Sequence, residues 1–227
     1  MQDNENVVII IATHNNSKTI EKALKSACTC IRPPNKVIIG DNDSTDNTYD
    51  ILCKILNAKP VTVEDKSGWP PDFTGNYNNI SIRIFRKKLS TIGHTLNIAM
   101  QMEWQNATIF GFLDATSWYS PDKISQAINI FRTYPVIVGV TSDCDNHYKN
   151  GITERVFRPP IDPSIYQFVN DRNFFMRPHI LSRLQTGFNE KTDKSIDYEF
   201  LTRLCKVGVI YHIPYPLHHN LIVENKT

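Results

Sequence analysis

A cluster of polar residues follows a short apolar run near residue 40. The run is Lys36-Val37-Ile38-Ile39-Gly40, and Asp41-Asn42-Asp43-Ser44-Thr45 and Asp46 come directly after it. Open α/β sheets bind ligands at the carboxyl ends of their strands, so a ligand is expected at this cluster. Carboxylate and amide groups can hydrogen-bond a base or a ribose hydroxyl, whereas carboxylates repel phosphate. The sequence therefore predicts a site for the base and sugar of a nucleotide.

A second acidic residue, Asp114, ends the apolar run 108–113. Because parallel strands end at the same edge of a sheet, Asp41 and Asp114 are expected to face one cleft. A magnesium or manganese ion on a diphosphate needs hard oxygen ligands, and one or two carboxylates are often enough. Asp114 is therefore either a metal ligand or a capping residue of the turn that follows it. For Asp114 taken alone, capping is the favoured interpretation.

Two further carboxylates, Asp197 and Glu199, open a predicted helix over 195–207. Acidic residues are common in the first turn of a helix because they complement the helix dipole. The two side chains point to different faces, so only one of them is expected to enter a cleft. The apolar residues that should pack inward beside them are Phe200, Leu201 and Leu204.

Three histidines have two possible roles. His14 and the pair His218-His219 can be metal ligands or phosphate contacts, or they can be structural. The pair follows Pro214 and Pro216, so we expect it in a loop-like tail.

Alternating apolar runs and amphipathic segments must position these residues. The βαβα order at the start predicts a parallel sheet with right-handed crossovers. The fourth helix is predicted to have Ser120 as its N-cap and Pro121 as its first residue. The predicted strands are 7–11, 36–40, 81–85, 108–113, 136–140, 173–177 and 209–213, and the predicted helices are 20–27, 46–56, 93–104, 121–134 and 195–207.

Two segments interrupt the alternation. Residues 57–79 contain three prolines, two glycines and three aromatic residues, and we predict an irregular loop there. Long irregular loops are often functional, so this one either contacts an acceptor or folds down on its own aromatic side chains. Residues 143–170 are polar and proline-rich, and they are predicted to form a second loop region or a small excursion.

The composition is that of an ordinary globular protein. The 227 residues are 41% hydrophobic and 21% charged, with a formal charge of +2 that favours no particular partner. The tightest basic cluster, Arg86-Lys87-Lys88, is expected to be a solvated strand end. Five scattered cysteines fit free thiols in a reducing compartment. The polar N-terminus is not a signal peptide, and no apolar stretch approaches the ~20 residues that span a bilayer. We therefore expect a soluble cytoplasmic protein.

Taken in order, the motifs resemble those of the family 2 glycosyltransferases, from about Val7 to His219. Ala12-Thr13-His14-Asn15 fills the place of the family's Pro-Thr-Tyr-Asn after the first strand. Asp41-Asn42-Asp43-Ser44-Thr45-Asp46 is similar to Asp-Asp-Gly-Ser-Thr-Asp. The segment Gly93-His94-Thr95-Leu96-Asn97 resembles the family's glycine turn before an asparagine-bearing helix.

The second half continues the resemblance. Phe112-Leu113-Asp114-Ala115-Thr116 stands at the family's Asp-x-Asp, and Gly187-Phe188-Asn189-Glu190 is similar to Gly-Phe-Asp-Glu. Ile196-Asp197-Tyr198-Glu199-Phe200, with an Arg-Leu pair beyond it, resembles Glu-Asp-Tyr-Glu-Leu. The order and spacing of these motifs are specific together, although no single motif is decisive.

The resemblance implies the GT-A fold, an α/β architecture whose mixed, mostly parallel sheet has helices on both faces. One domain would cover 1–227, with a nucleotide-binding half at about 7–115 and an acceptor-binding, catalytic half at 116–227. Asp197 would be the base of an inverting transfer from a nucleotide-sugar, usually a uridine one. The residues implied to hold the nucleotide are Thr13, Asn15, Asp41, Asn42, Asp43, Asn97 and Asp114.

The main departure from the family pattern is Thr116, which replaces the second Asp of Asp-x-Asp. In the first alternative, magnesium still binds through Asp114, the diphosphate and waters, with Thr116 holding a water. Alternatively, His218 or His219 completes the shell, which would favour manganese. In the third alternative the metal is lost and the basic residues 86–88 neutralise the phosphates. We favour the first two, so the predicted cofactor is Mg²⁺ or Mn²⁺ and the predicted ligands are Asp114, Thr116 and His218.

A second departure is Ile196, which replaces the supporting Glu before the base. The acceptor is most simply a saccharide, but a protein, a small molecule or a modified nucleic-acid base is compatible with the same motifs. Trp69, Trp118 and Tyr119 can stack on a sugar or on a base. A catalytically silent nucleotide- or glycan-binding protein is the alternative function, and a nucleotidyltransferase is the last in order.

Overall fold

The computed structural model describes residues 4–60, 72–156, 172–191 and 194–222. Within these ranges, eleven strands form one mixed sheet and six α-helices pack against it. The strands are β1 (Val7–Thr13), β2 (Lys36–Asp41), β3 (Lys59–Pro60), β4 (Phe73–Tyr77), β5 (Ile80–Arg86), β6 (Ile109–Asp114), β7 (Ser117–Tyr119), β8 (Ile137–Tyr148), β9 (Thr153–Val156), β10 (Phe174–Met176) and β11 (Val209–Ile222). The helices are α1 (Ile20–Cys28), α2 (Thr48–Leu56), α3 (Ile92–Glu103), α4 (Lys123–Thr133), α5 (Leu181–Leu184) and α6 (Ile196–Val207).

The centre of the sheet is parallel. Its strands follow the order β5-β2-β1-β6, and the wider order is β3-β4-β5-β2-β1-β6-β10-β8-β11-β7, with β9 paired to β8. Thr13 lies opposite Asp41, Ala12 opposite Asp114, and Asp41 opposite Arg86. The polar residues that end these strands are therefore brought to one edge by the register alone.

Helices cover both faces of the centre, as predicted. The alternate residues Val7, Ile9 and Ile11 of β1 pack in a cluster with α1, α2 and α4. Val8 and Ile10 point to the other face, into a cluster with α3, α5 and α6. A strand covered on both faces needs a continuous apolar run, which explains the composition of β1.

The second half joins the centre through β10, which pairs antiparallel with both β6 and β8. Phe175 of β10 lies opposite Gly111 of β6. A Cβ atom at Gly111 would stand 2.5 Å from the ring of Phe175 and 2.6 Å from Cδ1 of Ile9. The absence of a side chain at Gly111 thus lets a bulky aromatic residue pack directly over β6.

Three loop predictions are wrong because strands continue through polar sequence. Residues 73–77 form β4, which pairs with β5, whereas residues 61–71 of the predicted loop, with Trp69, lie outside the described residues. β8 runs on to Tyr148 and pairs with β9, although 157–171 is again outside the described residues. β11 extends to Ile222, so His218 and His219 lie in a strand. Backbone ladders form regardless of side-chain polarity, and for that reason the apolar pattern missed these strands.

The predicted start of α4 is also wrong. The helix begins at Lys123, and Ser120 does not cap it. The Ser120 hydroxyl instead donates to the carbonyl of Pro216 at 3.1 Å, which ties the turn after β7 to β11.

All five cysteines are free, as predicted, and burial raises the pKa of Cys28 to about 12 and that of Cys30 to about 11. Within the described ranges, no helix is both long and apolar enough to cross a membrane.

The start of α2 is held by Asp46. Its carboxylate accepts the backbone N–H of Thr48 at 2.9 Å and that of Ser17 at 3.1 Å. The carboxylate thereby joins the loop after β1 to the loop after β2. The partial burial of Asp46 would raise its pKa, but the hydrogen bonds from Thr48 and Ser17 outweigh burial and lower the pKa to about 2.

Replacing Gly111 by Ala should lower the free energy of unfolding by about 1–3 kcal/mol, because the added methyl group overpacks the contact with Phe175 and Ile9. Gly151→Asn is a matched control, since a side chain there meets nothing within 4 Å and Asn tolerates its φ of +85°. Urea unfolding should show a change below about 1 kcal/mol for the control. Equal midpoints for Gly111→Ala and wild type would contradict the close approach of β10.

Replacing Asp46 by Ala should lower the free energy of unfolding by about 1 kcal/mol at pH 7, because the hydrogen bonds from the N–H groups of Thr48 and Ser17 are lost. The folded pKa of about 2 lies below the ordinary 3.8, so this contribution is complete above pH 4 and is lost as the pH falls towards 2. The difference between wild type and variant should therefore narrow between pH 4 and pH 2. Asp46→Asn keeps an acceptor oxygen and should therefore lose less stability than Asp46→Ala. The midpoints of urea unfolding at pH 7 and pH 3 compare wild type and the two variants.

Candidate functional site

The first part of the site lies where β1 and β2 end. The N–H of Asn42 donates to the carbonyl of Thr13 at 2.9 Å, so the two chains stay paired beyond the strands. The buried hydroxyl of Thr13 donates to the side-chain oxygen of Asn16 at 2.9 Å. His14 joins the same group, because its Nδ1 donates to the carbonyl of Asn42 at 2.7 Å.

Asn15 braces the loop over residues 41–46. Its side-chain oxygen accepts the N–H groups of Thr45 at 2.8 Å and of Asp46 at 3.2 Å, and its own N–H donates to the Ser44 hydroxyl at 2.9 Å. Asn15 has a φ of 55°, in the left-handed region that asparagine tolerates better than most residues. Its side-chain oxygen is thus used to shape the site.

Asp41 is fully buried at the centre of this loop. Its carboxylate accepts the hydroxyl and the N–H of Ser44, the latter at 3.3 Å, and its second oxygen lies 3.5 Å from Nε of Arg86. Burial raises the pKa of Asp41, although Ser44 and the charge of Arg86 oppose that rise. A carboxylate held in this way is a fixed hydrogen-bond acceptor at the end of β2.

Arg86 is anchored rather than solvated, so the prediction of a solvated strand end is wrong for this residue. It donates to the carbonyl of Ser44 at 2.7 Å and lies 3.6 Å from the carboxylate of Asp43. Its guanidinium also lies over the ring of Tyr49, at 5.1 Å from the centroid. Arg86 therefore neutralises the two acidic residues of the loop, Asp41 and Asp43.

Asp114 is the acidic group at the end of β6. One of its oxygens accepts both the N–H and the hydroxyl of Thr116 at 3.0 Å, which is the capping geometry considered from the sequence. The other oxygen accepts a hydrogen bond from Arg172. Burial would raise the pKa of Asp114, but the charge of Arg172 and the two Thr116 bonds lower it overall.

Arg172 connects Asp114 to Asp197. Its Nη2 donates to Asp114, and its Nη1 lies 3.8 Å from the carboxylate of Asp197, which is itself buried. The register of β10 against β6, continued past Phe174, places residue 172 opposite residue 114. The antiparallel strand thus brings the base predicted on α6 and the strand-end Asp114 to one guanidinium.

Arg172 was not predicted as a site residue. Its local signal is a charged residue two positions before the apolar strand Phe174–Met176, and that signal is weak. The position of Arg172 depends on how β10 pairs, and pairing cannot be read from one strand alone.

The first turn of α6 orients its two carboxylates as expected. Asp197 is buried, whereas Glu199 turns away and forms a two-point ion pair with Arg203, in which Arg203 Nε and Nη2 contact the two Glu199 oxygens. Phe200, which is fully buried, stacks on Phe188 with ring centroids 4.2 Å apart. The apolar packing of α6 thus selects Asp197 for the cleft side.

Two predicted residues stand apart from this edge. The side-chain oxygen of Asn97 accepts the N–H of Phe188 at 2.8 Å, and its amide donates to the carbonyl of Phe188 at 2.9 Å and to Glu190 at 2.7 Å. Asn97 thus joins α3 to the turn at 187–190. His218 is fully buried in β11, with its ring 5.8 Å from that of Tyr119.

The fit of a divalent cation depends on Asp114. Carboxylate and hydroxyl oxygens from Asp114 and Thr116 are the hard ligands that Mg²⁺ and Mn²⁺ accept, and a diphosphate can supply the others. These residues fit such an ion once Arg172 releases Asp114. No group of three or more His, Cys, Asp or Glu residues in the described part of the chain is arranged to hold a metal.

His219 and Trp118 form a separate cluster. The His219 ring stacks on that of Trp118 at 5.4 Å, and its two nitrogens lie 2.9 Å from the Ser120 hydroxyl and 3.1 Å from His147. Nζ of Lys22 lies 2.9 Å from the Trp118 ring centroid. The cluster thus joins β7, β8 and β11 to α1 through side-chain contacts.

Sequence comparison identifies relatives over most of the chain. The family model "Glycosyl transferase family 2" matches residues 8–196, and this match ends one residue before Asp197. The chondroitin synthase of Pasteurella multocida is 23% identical over 210 residues, which cover 91% of this chain and 20% of that protein. The chondroitin synthase of Escherichia coli is 24% identical over 91% of this chain and 27% of its own length. The chain thus spans only a fifth to about a quarter of these relatives.

Solved structures show the same fold. S. aureus TarS (residues 1–349), in complex with UDP-GlcNAc, has a TM-score of 0.71 at 15% identity, over 97% of this chain and 60% of that chain. The mannosyltransferase PcManGT of Pyrobaculum calidifontis, in complex with GDP-Man and Mn²⁺, has a TM-score of 0.65 at 17% identity, over 97% of this chain and 57% of that chain. The sheet, its polar edge and the match over residues 8–196 together establish that this chain belongs to glycosyl transferase family 2.

Proposed function

We propose that this chain is an inverting glycosyltransferase that moves a sugar from a nucleotide-sugar, in the first instance a UDP-sugar, to a hydroxyl group of a saccharide. One observation carries the proposal: the buried carboxylate of Asp197 shares Arg172 with Asp114, at the edge where β1, β2 and β6 end. A single edge of the sheet therefore holds groups suited to a nucleoside, to a diphosphate and to proton abstraction.

In the proposed mechanism, Asp197 takes the proton of the acceptor hydroxyl. The acceptor oxygen attacks C1 of the sugar as the bond from C1 to the diphosphate oxygen breaks, and the nucleoside diphosphate leaves with both electrons of that bond. Attack opposite the leaving group inverts the configuration at C1. A positioned general base contributes roughly 10²–10⁴-fold to such a step.

The nucleoside is assigned to the ends of β1 and β2. Asp41 accepts from the base or the ribose, and Thr13, Asn42 and Asp43 line the same loop pair. Asn15 acts mainly by shaping the loop over residues 41–46, because its side-chain oxygen already accepts from Thr45 and Asp46. The bonds of Asn97 to Phe188 and Glu190 give it a supporting position on α3.

A divalent cation, Mg²⁺ or Mn²⁺, belongs to the proposal with Asp114 and Thr116 as its protein ligands. When bound, it would supply positive charge to the departing diphosphate. The complex of PcManGT with GDP-Man and Mn²⁺ supports this cofactor for the fold. The buried position of His218 beside Tyr119 does not favour it as a third ligand.

A saccharide acceptor is supported by the relatives. They are synthases of chondroitin and, in a further Pasteurella multocida protein of 23% identity, hyaluronan. A nucleotide- or glycan-binding protein without turnover is the second candidate, because Thr116 stands where the family's Asp-x-Asp has its second carboxylate. Turnover of a donor distinguishes the two candidates.

Replacing Asp197 by Asn should lower sugar transfer by about 10²–10⁴-fold, because the amide cannot accept the proton. Release of UDP from UDP-sugars, with chondroitin oligosaccharides as acceptors and Mn²⁺ or Mg²⁺ present, measures the rate, and GDP-sugars extend the donor set. Glu199→Gln is the matched control on the same helix turn and should stay within about threefold of wild type, because Glu199 pairs with Arg203 away from the cleft.

Full transfer activity in Asp197→Asn would remove the assigned base. Binding of UDP to the wild type, without turnover of any donor, would instead favour the second candidate.

A further inference from the structure

Two arginines flank the line of strand-end polar residues. Along the sheet edge the order is Arg86, Asp41, Thr13, Asp114 and Arg172; the first four lie on β5, β2, β1 and β6, and Arg172 lies two residues before the start of β10. Neighbouring strands lie about 4.8 Å apart, so the three gaps between Asp41 and Arg172 span roughly 14 Å. An extended nucleoside diphosphate laid along this edge has its base near one arginine and its phosphates near the other.

The two arginines have different tasks. Arg86 lies at the end of the edge proposed for the nucleoside, where it contacts Asp41, Asp43 and the carbonyl of Ser44. Arg172 stands at the other end, between Asp114 and Asp197. A planar guanidinium matches the spacing of phosphate oxygens and can bind them at two points.

The backbone beside Arg172 is held in place. The side-chain oxygen of Asn173 accepts from Nζ of the fully buried Lys123 at 2.6 Å, and its amide donates to the carbonyl of Ser142 at 2.9 Å. These bonds fix the start of β10 against β8. Arg172 is thus presented from a fixed point and needs only side-chain rotation to move from one anion to another.

Thr116 and Arg172 both make the site around Asp114 less negative. Thr116 lacks the negative charge that a second aspartate would bring beside Asp114, and Arg172 adds a positive charge to Asp114. A metal ion on Asp114 must displace the guanidinium, because Arg172 already occupies one carboxylate oxygen and Thr116 the other. The guanidinium and a divalent cation therefore compete for one carboxylate.

We propose that Arg172 binds the diphosphate of the donor and competes with a divalent cation for Asp114, so that the nucleotide binds without added metal. This inference rests on the proposed function, since it assigns the diphosphate end of the same site. It makes Arg172 the cation of the chain that acts on the leaving group, in place of the basic residues 86–88 considered from the sequence.

The test compares wild type, Arg172→Gln, Arg172→Lys and the control Arg155→Gln. Arg155 also pairs with an aspartate, at 3.2 Å from Asp145, but it is half exposed and lies on β9. Calorimetry with UDP in the presence of EDTA measures nucleotide binding without metal. Electron paramagnetic resonance of added Mn²⁺, without nucleotide, measures access to Asp114.

In EDTA, Arg172→Gln should bind UDP at least about tenfold more weakly than wild type, the usual effect of losing a charge-assisted hydrogen bond. Arg172→Lys should recover part of the affinity because the charge remains, and Arg155→Gln should match wild type within about twofold. Without nucleotide, Arg172→Gln should bind Mn²⁺ at least about threefold more tightly, because Asp114 is released and its carboxylate is no longer neutralised.

Equal UDP affinity of wild type and Arg172→Gln in EDTA, together with unchanged Mn²⁺ affinity, would overturn the inference. So would wild-type binding of UDP that requires Mn²⁺ and is unaffected by Arg172→Gln. Both outcomes leave the proposed function standing if donors are still turned over. Circular dichroism of each variant confirms that the compared proteins are folded.

Failure of the wild type to bind UDP or GDP under any condition would count against the proposed function itself. The Mn²⁺ measurement would still test the pairing of Arg172 with Asp114.

Discussion

The parallel register of β5, β2, β1 and β6 is the constraint on which the site depends. Each strand buries a continuous apolar run and then ends in a polar residue, so in-register pairing aligns Arg86, Asp41, Thr13 and Asp114 at one edge. Because side chains alternate between the faces of a sheet, a shift of one residue in any strand would turn its whole apolar set to the wrong face. The two apolar clusters on the faces therefore fix the positions of the polar groups at the edge.

Buried charge explains the rest of the arrangement. An isolated carboxylate is costly to remove from water, and each buried or partly buried carboxylate of this edge has a guanidinium beside it. Arg86 serves Asp41 and Asp43, whereas Arg172 serves Asp114 and Asp197. Each arginine therefore offsets the charge of two acidic groups, so the arginines both stabilise the fold and keep the site suited to an anionic ligand.

The second half of the chain supplies what the parallel centre lacks. β10 runs antiparallel to β6, and its close packing over Gly111 brings Arg172, two residues before β10, to the end of β6. α6 then presents Asp197 to the same place, because Asp197 shares the buried face of the helix with Phe200 and Leu204. Residues that are 58 apart in sequence, Arg172 and Asp114, come into contact through one short strand.

Local sequence patterns were enough to predict the parallel centre, the helices on both faces and the polar strand ends. Apolar runs, helical spacing and the motifs of residues 12–15 and 41–46 are local signals, because each can be read from a few neighbouring residues. The inward packing of Phe200, Leu201 and Leu204 was predicted for the same reason. The motifs suggest roles for Asp41, Asp114 and Asp197 in binding and catalysis, and their positions near one edge of the sheet agree with these roles. The roles themselves remain predictions.

The pairing of the polar strands and the partners of the charged residues became known only from the folded chain. The strands 73–77, 144–148 and 214–222 carry too few apolar residues to be distinguished from loops, and their hydrogen bonds come from neighbours distant in sequence. Arg172 had no readable role until β10 was paired with β6, and Arg86 looked like a surface residue until β5 was placed beside β2. Hydrogen bonds and salt bridges each join two residues, and here the two are far apart in the chain. The residue type at one position therefore does not reveal its partner until the chain is folded.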